Sequence, residues 1–149
     1  MTDLQNLYQE VILDHSKRPR NCKEMCDANY KAEGFNPLCG DRFIIFLHVD
    51  DGIVKDVSFT GAGCAISTAS ASLMTESLKG KTLAEVEEIF HNFHHLVAGD
   101  EESVSEFPSL GKLKALAGVR AFPMRVKCAT LAWHTMQAAI NNEEMVTTE

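Results

Sequence analysis

The stretch DRFIIFLHVDDGIVKDVSFTGAGC, residues 41–64, decides the fold. Phe43, Ile45, Leu47 and Val49 alternate with Arg42, Ile44, Phe46 and His48, the period-two pattern of a strand with one covered face. Asp50-Asp51-Gly52 follows, and then a second run sets Val57 and Phe59 against Asp56 and Ser58. Asp-Gly between two such runs predicts a β-hairpin. His48 falls on the less buried face and reads as a strand residue, not a ligand. Gly61-Ala62-Gly63-Cys64 ends the second strand and opens a helix to about Lys79, with Gly80 as its stop. Gly61 and Gly63 let the backbone turn sharply and bring Cys64 to the helix N-terminus, where unpaired N–H groups and the macrodipole favour a thiolate. Ala65, Ser67, Thr68, Ala69, Ser70, Ala71 and Ser72 make that helix small enough to approach a sheet closely, with Ile66, Leu73 and Leu78 as larger packers.

Immediately before the hairpin lies Asn36-Pro37-Leu38-Cys39-Gly40-Asp41. Pro and Gly favour a turn, and on extended backbone Cys39 and Asp41, at i and i+2, face one common point. Residues 21–35 read as a loop leading into a short strand. Cys22 and Cys26 lie in it at C-x-x-x-C spacing, without local partners for a zinc or redox role. Further back, Asp3 caps a first helix striped by Leu4, Leu7, Tyr8, Val11 and Ile12. Lys17-Arg18-Pro19-Arg20 ends it, a basic knot that complements the helix dipole, with docking to an acidic partner as the sharper alternative.

Downstream, Thr82 and Glu85 form a capping box for a helix that buries Leu83, Val86, Phe90, Phe93 and Val97. His91, His94 and His95 lie toward its other face beside Glu87 and Glu88. His91 and His95 have the i, i+4 spacing that can hold a metal, but with no third ligand in sight they read as a solvated face. Residues 98–109 read as a polar loop, 112–117 as a short helix ending at Gly118, and Phe122-Pro123-Met124 as a reorienting turn. A final helix, from about 125 to 141, carries Cys128 in its first turn with Leu131, Trp133, Met136 and Ile140 as packers, and 143–149 reads as a frayed tail. No repeat or linker divides the chain, so 1–149 is expected to be one domain.

Composition bounds the function. At 149 residues the chain can bury its own core, and a formal charge of -7 argues against nucleic acid. No apolar run reaches the length of a membrane span, and residues 1–10 lack a basic-then-apolar signal pattern. Five cysteines cannot all pair, so reduced, cytoplasmic thiols are expected. Cys39, Asp41, Cys64 and Cys128 are expected to converge on one site. Three thiolates and a carboxylate satisfy a tetrahedral zinc ion and equally suit iron in a cluster. Either leaves negative charge that Arg125, one turn before Cys128, and Lys127 can offset.

The C-G-D of 39–41, the G-A-G-C-A-I-S-T-A-S-A-S of 61–72 and the V-K-C of 126–128 resemble the iron–sulfur cluster assembly proteins related to IscU and the NifU N-terminal domain. The resemblance extends to Asp14-His15 and Arg18-Pro19-Arg20-Asn21 in and after the first helix. It implies an α+β fold: a small antiparallel β-sheet of about three strands, helices packed on it, and the metal site at one end. Lys127 stands where the housekeeping branch has histidine. Phe122-Pro123-Met124-Arg125-Val126-Lys127 replaces the chaperone-read Leu-Pro-Pro-Val-Lys, and extra residues fall around 85–115. These three features resemble the SufU branch.

For that branch the resemblance implies zinc on Cys39, Asp41, Cys64 and Cys128, and partnership with a SufS-type cysteine desulfurase. In the scheme this resemblance implies, the desulfurase takes over zinc coordination from Cys39, which then accepts persulfide sulfur. Arg125 orients the site or contacts the partner, and His15 with the basic knot becomes a candidate docking face. Sulfur passes on to downstream Suf cluster-assembly proteins, and no stand-alone enzyme activity is expected. Two alternatives stand beside this: a scaffold that builds a [2Fe–2S] cluster on the same residues, kept labile by Asp41, and a structural zinc module that binds a protein partner.

Overall fold

A computed structural model describes residues 3–37, 39–98 and 108–147. The polar loop expected at 98–109 falls mostly outside them, as do Leu38 and the side chains of Leu4 and Leu7. The elements are α1 (Asp3–Lys17), β1 (Tyr30–Asn36), β2 (Asp41–Asp50), β3 (Ile53–Ala62), α2 (Ala65–Leu78), α3 (Leu83–Ala98), a 3-10 segment (Pro108–Ala121) kinked at Gly111, α4 (Pro123–Ile140) and β4 (Met145–Thr147).

The hairpin forms as its sequence requires. Asp51 and Gly52 take φ of 55° and 73°, the two positive values of a type I′ turn whose twist suits the flanking strands. A bulge follows at once, where His48 pairs with Asp56 but Val49 with Val54. β1 joins β2 in antiparallel register from Tyr30↔Leu47 to Asn36↔Asp41, completing the expected three antiparallel strands. Sheet order is β3-β2-β1-β4.

The fourth strand corrects the reading of a frayed tail. Met145–Thr147 runs parallel to β1, and the Glu33 N–H donates to the Glu144 carbonyl. Without it, β1 would present an unpaired edge of backbone donors and acceptors. The opposite edge, β3, is partly covered by the 21–29 loop: Cys22 bridges to Phe59, whose N–H donates to Asn21 O. Met25, Phe46 and Ser58 are accordingly buried on the face that alternation alone marks as open.

The main core lies between the other face of the sheet and the helices. Phe43, Ile45, Leu47, Val57 and Phe59 meet Leu73, Met74, Leu131, Trp133 and Met136. Gly34 is needed here, because a Cβ on it would lie 1.8 Å from Thr135 Oγ1 of α4. The small residues of α2 let Ser70 Oγ reach both the Ala129 carbonyl and Trp133 Nε1. Trp133 in turn stacks on Phe93 of α3, with ring centres 4.5 Å apart. The capping box is present, with Thr82 N–H bonded to Glu85 Oε1 and Glu85 N–H to Thr82 Oγ1. Leu96 joins the expected stripe of α3 as a further buried residue.

Three further expectations change. The short helix at 112–117 belongs to the longer 3-10 segment. α4 begins earlier than 125, with Phe122 as N-cap and Pro123 at the first helical position, where its missing N–H costs nothing. Cys128 therefore sits in the second turn. Finally, His15 is only 1 % exposed, with Nδ1 2.7 Å from Ser72 Oγ. Ser72 Oγ also accepts the Arg20 N–H, Asn21 Nδ2 donates to Thr75 Oγ1, and Arg20 pairs with Asp14 at 2.6 Å. The Asp14-His15 and Arg18–Asn21 motifs thus fasten α1 and the following turn to α2. Burial removes His15 from any docking face.

Candidate metal centre

Four chain segments end at the same end of the sheet. β1 closes on Asn36 and β2 opens on Asp41, paired across the strands, so the chain reverses direction between them. Gly40 takes a positive φ of 71°, a backbone conformation that glycine adopts without steric cost. Cys39 sits half-buried just ahead of β2, and Asp41 is fully buried beneath it.

Cys64 is the N-cap of α2, with φ −70° and ψ 172°. Its Sγ accepts the Ser67 N–H at 3.5 Å, the expected helix N-terminal setting. Its own N–H donates to Asp41 Oδ1 at 2.8 Å, which ties the start of α2 to the start of β2.

Cys128 projects from the second turn of α4 and is fully buried. Its Sγ lies 3.1 Å from Cys39 Sγ. Ligand atoms of Cys39, Asp41 and Cys128 all fall within 4.8 Å of one another, close to the span of two metal–ligand bonds of about 2.0–2.3 Å. Among the described residues this is the one such group of three or more. Cys64 adjoins it through the Asp41 hydrogen bond. Cys22 and Cys26 are exposed and lie outside it.

The electrostatics differ from a simple helix-terminus picture. Burial, the Cys39 hydrogen bond and the charges of Cys64 and Asp41 push the Cys128 thiol well above its ordinary value. In the second turn, Cys128 gains little from the N-terminal N–H groups. Its thiolate therefore needs a nearby cation. Arg125 is the side chain placed to help: Cys64 first, then Cys128 and Cys39, hold its guanidinium more firmly charged.

Asn36 is a neighbour that the sequence reading passed over. It is fully buried, and its Nδ2 lies 3.4 Å from Asp41 Oδ2 and 3.7 Å from Cys128 Sγ, while its Oδ1 has no partner. The available signal was its position as the last strand residue before Pro37, directly across from Asp41. The chemistry of the whole set, soft sulfurs with one hard oxygen and a single adjacent guanidinium, fits a zinc or iron ion.

Residues 7–148 match the family described as the NifU-like N terminal domain. The chain belongs to this family. Among NifU-like relatives, it is 41 % identical over 142 residues to the zinc-dependent sulfurtransferase SufU of Bacillus subtilis, covering 95 % of each chain. It is 39 % identical over 140 residues to the iron–sulfur cluster assembly scaffold protein IscU of Streptococcus pyogenes, covering 94 % of this chain and 86 % of that one. A solved structure of SufU from Fervidobacterium islandicum, named as an iron–sulfur cluster assembly scaffold protein for the SUF system, superposes with a TM-score of 0.79 at 34 % identity. It covers 91 % of this chain and 98 % of that one. The sheet with helices packed on it is thus the NifU-like N-terminal fold, and among the described residues no helix is long and apolar enough to cross a membrane.

Proposed function

We propose that this chain serves iron–sulfur cluster assembly as a cytoplasmic, zinc-holding sulfur acceptor for a SufS-type cysteine desulfurase. Cys39, Asp41, Cys64 and Cys128 would hold the ion. The observation that carries this is the approach of the Cys39 and Cys128 sulfurs to 3.1 Å above a buried carboxylate. A bound zinc ion would keep these thiols deprotonated at neutral pH and mask them until a partner arrives.

The residues divide the work by exposure. Cys128 is buried and Asp41 is anchored by the Cys64 N–H, so they form the fixed floor. Cys39, half-buried just ahead of β2, is the sulfur an incoming group can reach. Its thiolate attacks the terminal sulfur of the desulfurase persulfide. The sulfur–sulfur bond in the partner breaks, the partner cysteine leaves as thiolate, and Cys39 carries the new persulfide with no net oxidation. Arg125 offsets the negative charge of the sulfurs and is exposed enough to meet the partner. Phe122 and Met124, 63 % and 57 % exposed, add an apolar rim beside it. The sulfur then passes to downstream Suf cluster-assembly proteins, and the chain has no turnover of its own.

A second reading is a scaffold that builds a [2Fe–2S] cluster on the same four residues. The 39 % identity to a relative named IscU favours it, and a lone carboxylate among thiolates would leave the cluster easy to release.

The rate of alanine release by a SufS-type desulfurase separates the readings. The zinc-loaded chain should accelerate it and Cys39→Ser should not. No acceleration by the wild-type chain would move the scaffold reading to the front.

A further inference from the structure

The histidine face of α3 lines a groove beside α4. His91 and His95 bring their ring centres to 4.9 Å. An ion about 2.0–2.1 Å from a ring nitrogen lies roughly 3.2 Å from that ring's centre, so two imidazoles sharing one ion at a tetrahedral angle have centres about 5 Å apart. The pair already has that separation. One turn earlier on the helix are Glu87 and Glu88, and α4 walls the groove with Gln137. His94 extends the cluster toward α4, its ring 6.1 Å from that of His134, and Phe90 packs against both rings.

We propose that the His91–His95 imidazole pair forms a second, weak and exchangeable site for a divalent transition metal. Imidazole ligands favour zinc, copper or nickel over magnesium or calcium. Both histidines are exposed, so water completes the coordination and the ion exchanges readily. The site is built apart from the cysteines. His134, the α4 residue nearest the cluster, lies six positions beyond Cys128, about 9 Å along the helix axis.

Zinc titration of the full chain, followed by calorimetry and by NMR of the imidazole rings, tests this. The wild-type chain should bind one zinc equivalent more than the His91→Gln/His95→Gln double variant, in a weaker step. The ring signals of His91 and His95 should shift together during that step. His48→Gln should leave it unchanged. Equal stoichiometry in the wild type and the double variant, or ring shifts confined to other histidines, would overturn the proposal. If the cysteine cluster held no zinc, the tight step would be missing from every variant while the difference of one equivalent remained.

Discussion

Asp41 and Cys64, 23 residues apart, are joined by one hydrogen bond, the Cys64 N–H donating to Asp41 Oδ1 at 2.8 Å. The bond locks the first residue of a strand to the cap of a helix, so a carboxylate and a thiol are set in place together. Asp41→Asn keeps an acceptor oxygen there, whereas Asp41→Ala leaves a partly buried N–H unpaired. Asp41→Ala is expected to lower the stability of the metal-free chain by about 1–3 kcal/mol, and Asp41→Asn by less. Both should weaken zinc retention. Urea unfolding and competition with a chelator would measure the two effects, and an Asp41→Ala chain more stable than Asp41→Asn would contradict this role.

Gly63 stands where no side chain fits. A Cβ there would lie 2.3 Å from Ser67 Oγ, 2.7 Å from Asp41 Oδ1 and 3.0 Å from Phe43 Cζ. Gly63→Ala is expected to destabilise the chain by about 1–3 kcal/mol and to loosen zinc by displacing Asp41. Gly118→Ala, with open space around it, is the control and should be near neutral. Thermal melts of both variants, with and without zinc, would show whether the loss is specific to Gly63.

Asn36 braces Asp41 and Cys128 from below. Removing its amide in Asn36→Ala deletes both contacts and opens a small void. The expected cost is about 1–3 kcal/mol, together with faster zinc loss to a chelator. Unchanged zinc off-rates would mean that the amide packs beside the site without orienting it.

His15 gives stability a pH dependence. Burial, with Arg20 pressing the same way, holds its imidazole below the ordinary value, while Glu76 pulls in the opposite direction. Between the depressed folded value and about 6.5, the unfolded chain binds a proton that the folded chain refuses. Stability is therefore complete above about pH 6.5 and falls as the pH drops below it. His134, lowered by burial and by His94, acts in the same sense. Urea midpoints measured from about pH 7.5 to 5.5 should decline for the wild type and decline less for His15→Asn.

Much of this was legible in the sequence because local chemistry and global fold agree. Alternation from Phe43 to Val49, the Asp51-Gly52 turn and the Thr82–Glu85 box each fix an element without help from distant residues. Cys39, Asp41 and Cys64 were visible because a turn or helix start surrounds each of them. What escaped depends on tertiary contact. His15 looks like a surface residue beside a basic knot until Ser72 of α2 is brought against it. Ser58 looks solvated until the 21–29 loop covers that side, and β4 exists only because β1 has an open edge. Cys128 shifts from first to second turn because Phe122 and Pro123 start α4 early, and that shift changes what stabilises its thiolate.

The most direct test of sulfur acceptance is to mix the zinc-loaded chain with a SufS-type desulfurase and cysteine, then locate persulfide by peptide mass spectrometry. The expected result is an added sulfur on Cys39, absent from Cys39→Ser and not moved to Cys22 or Cys26. An added sulfur on another cysteine, or none at all while the desulfurase turns over, would contradict the role assigned to Cys39.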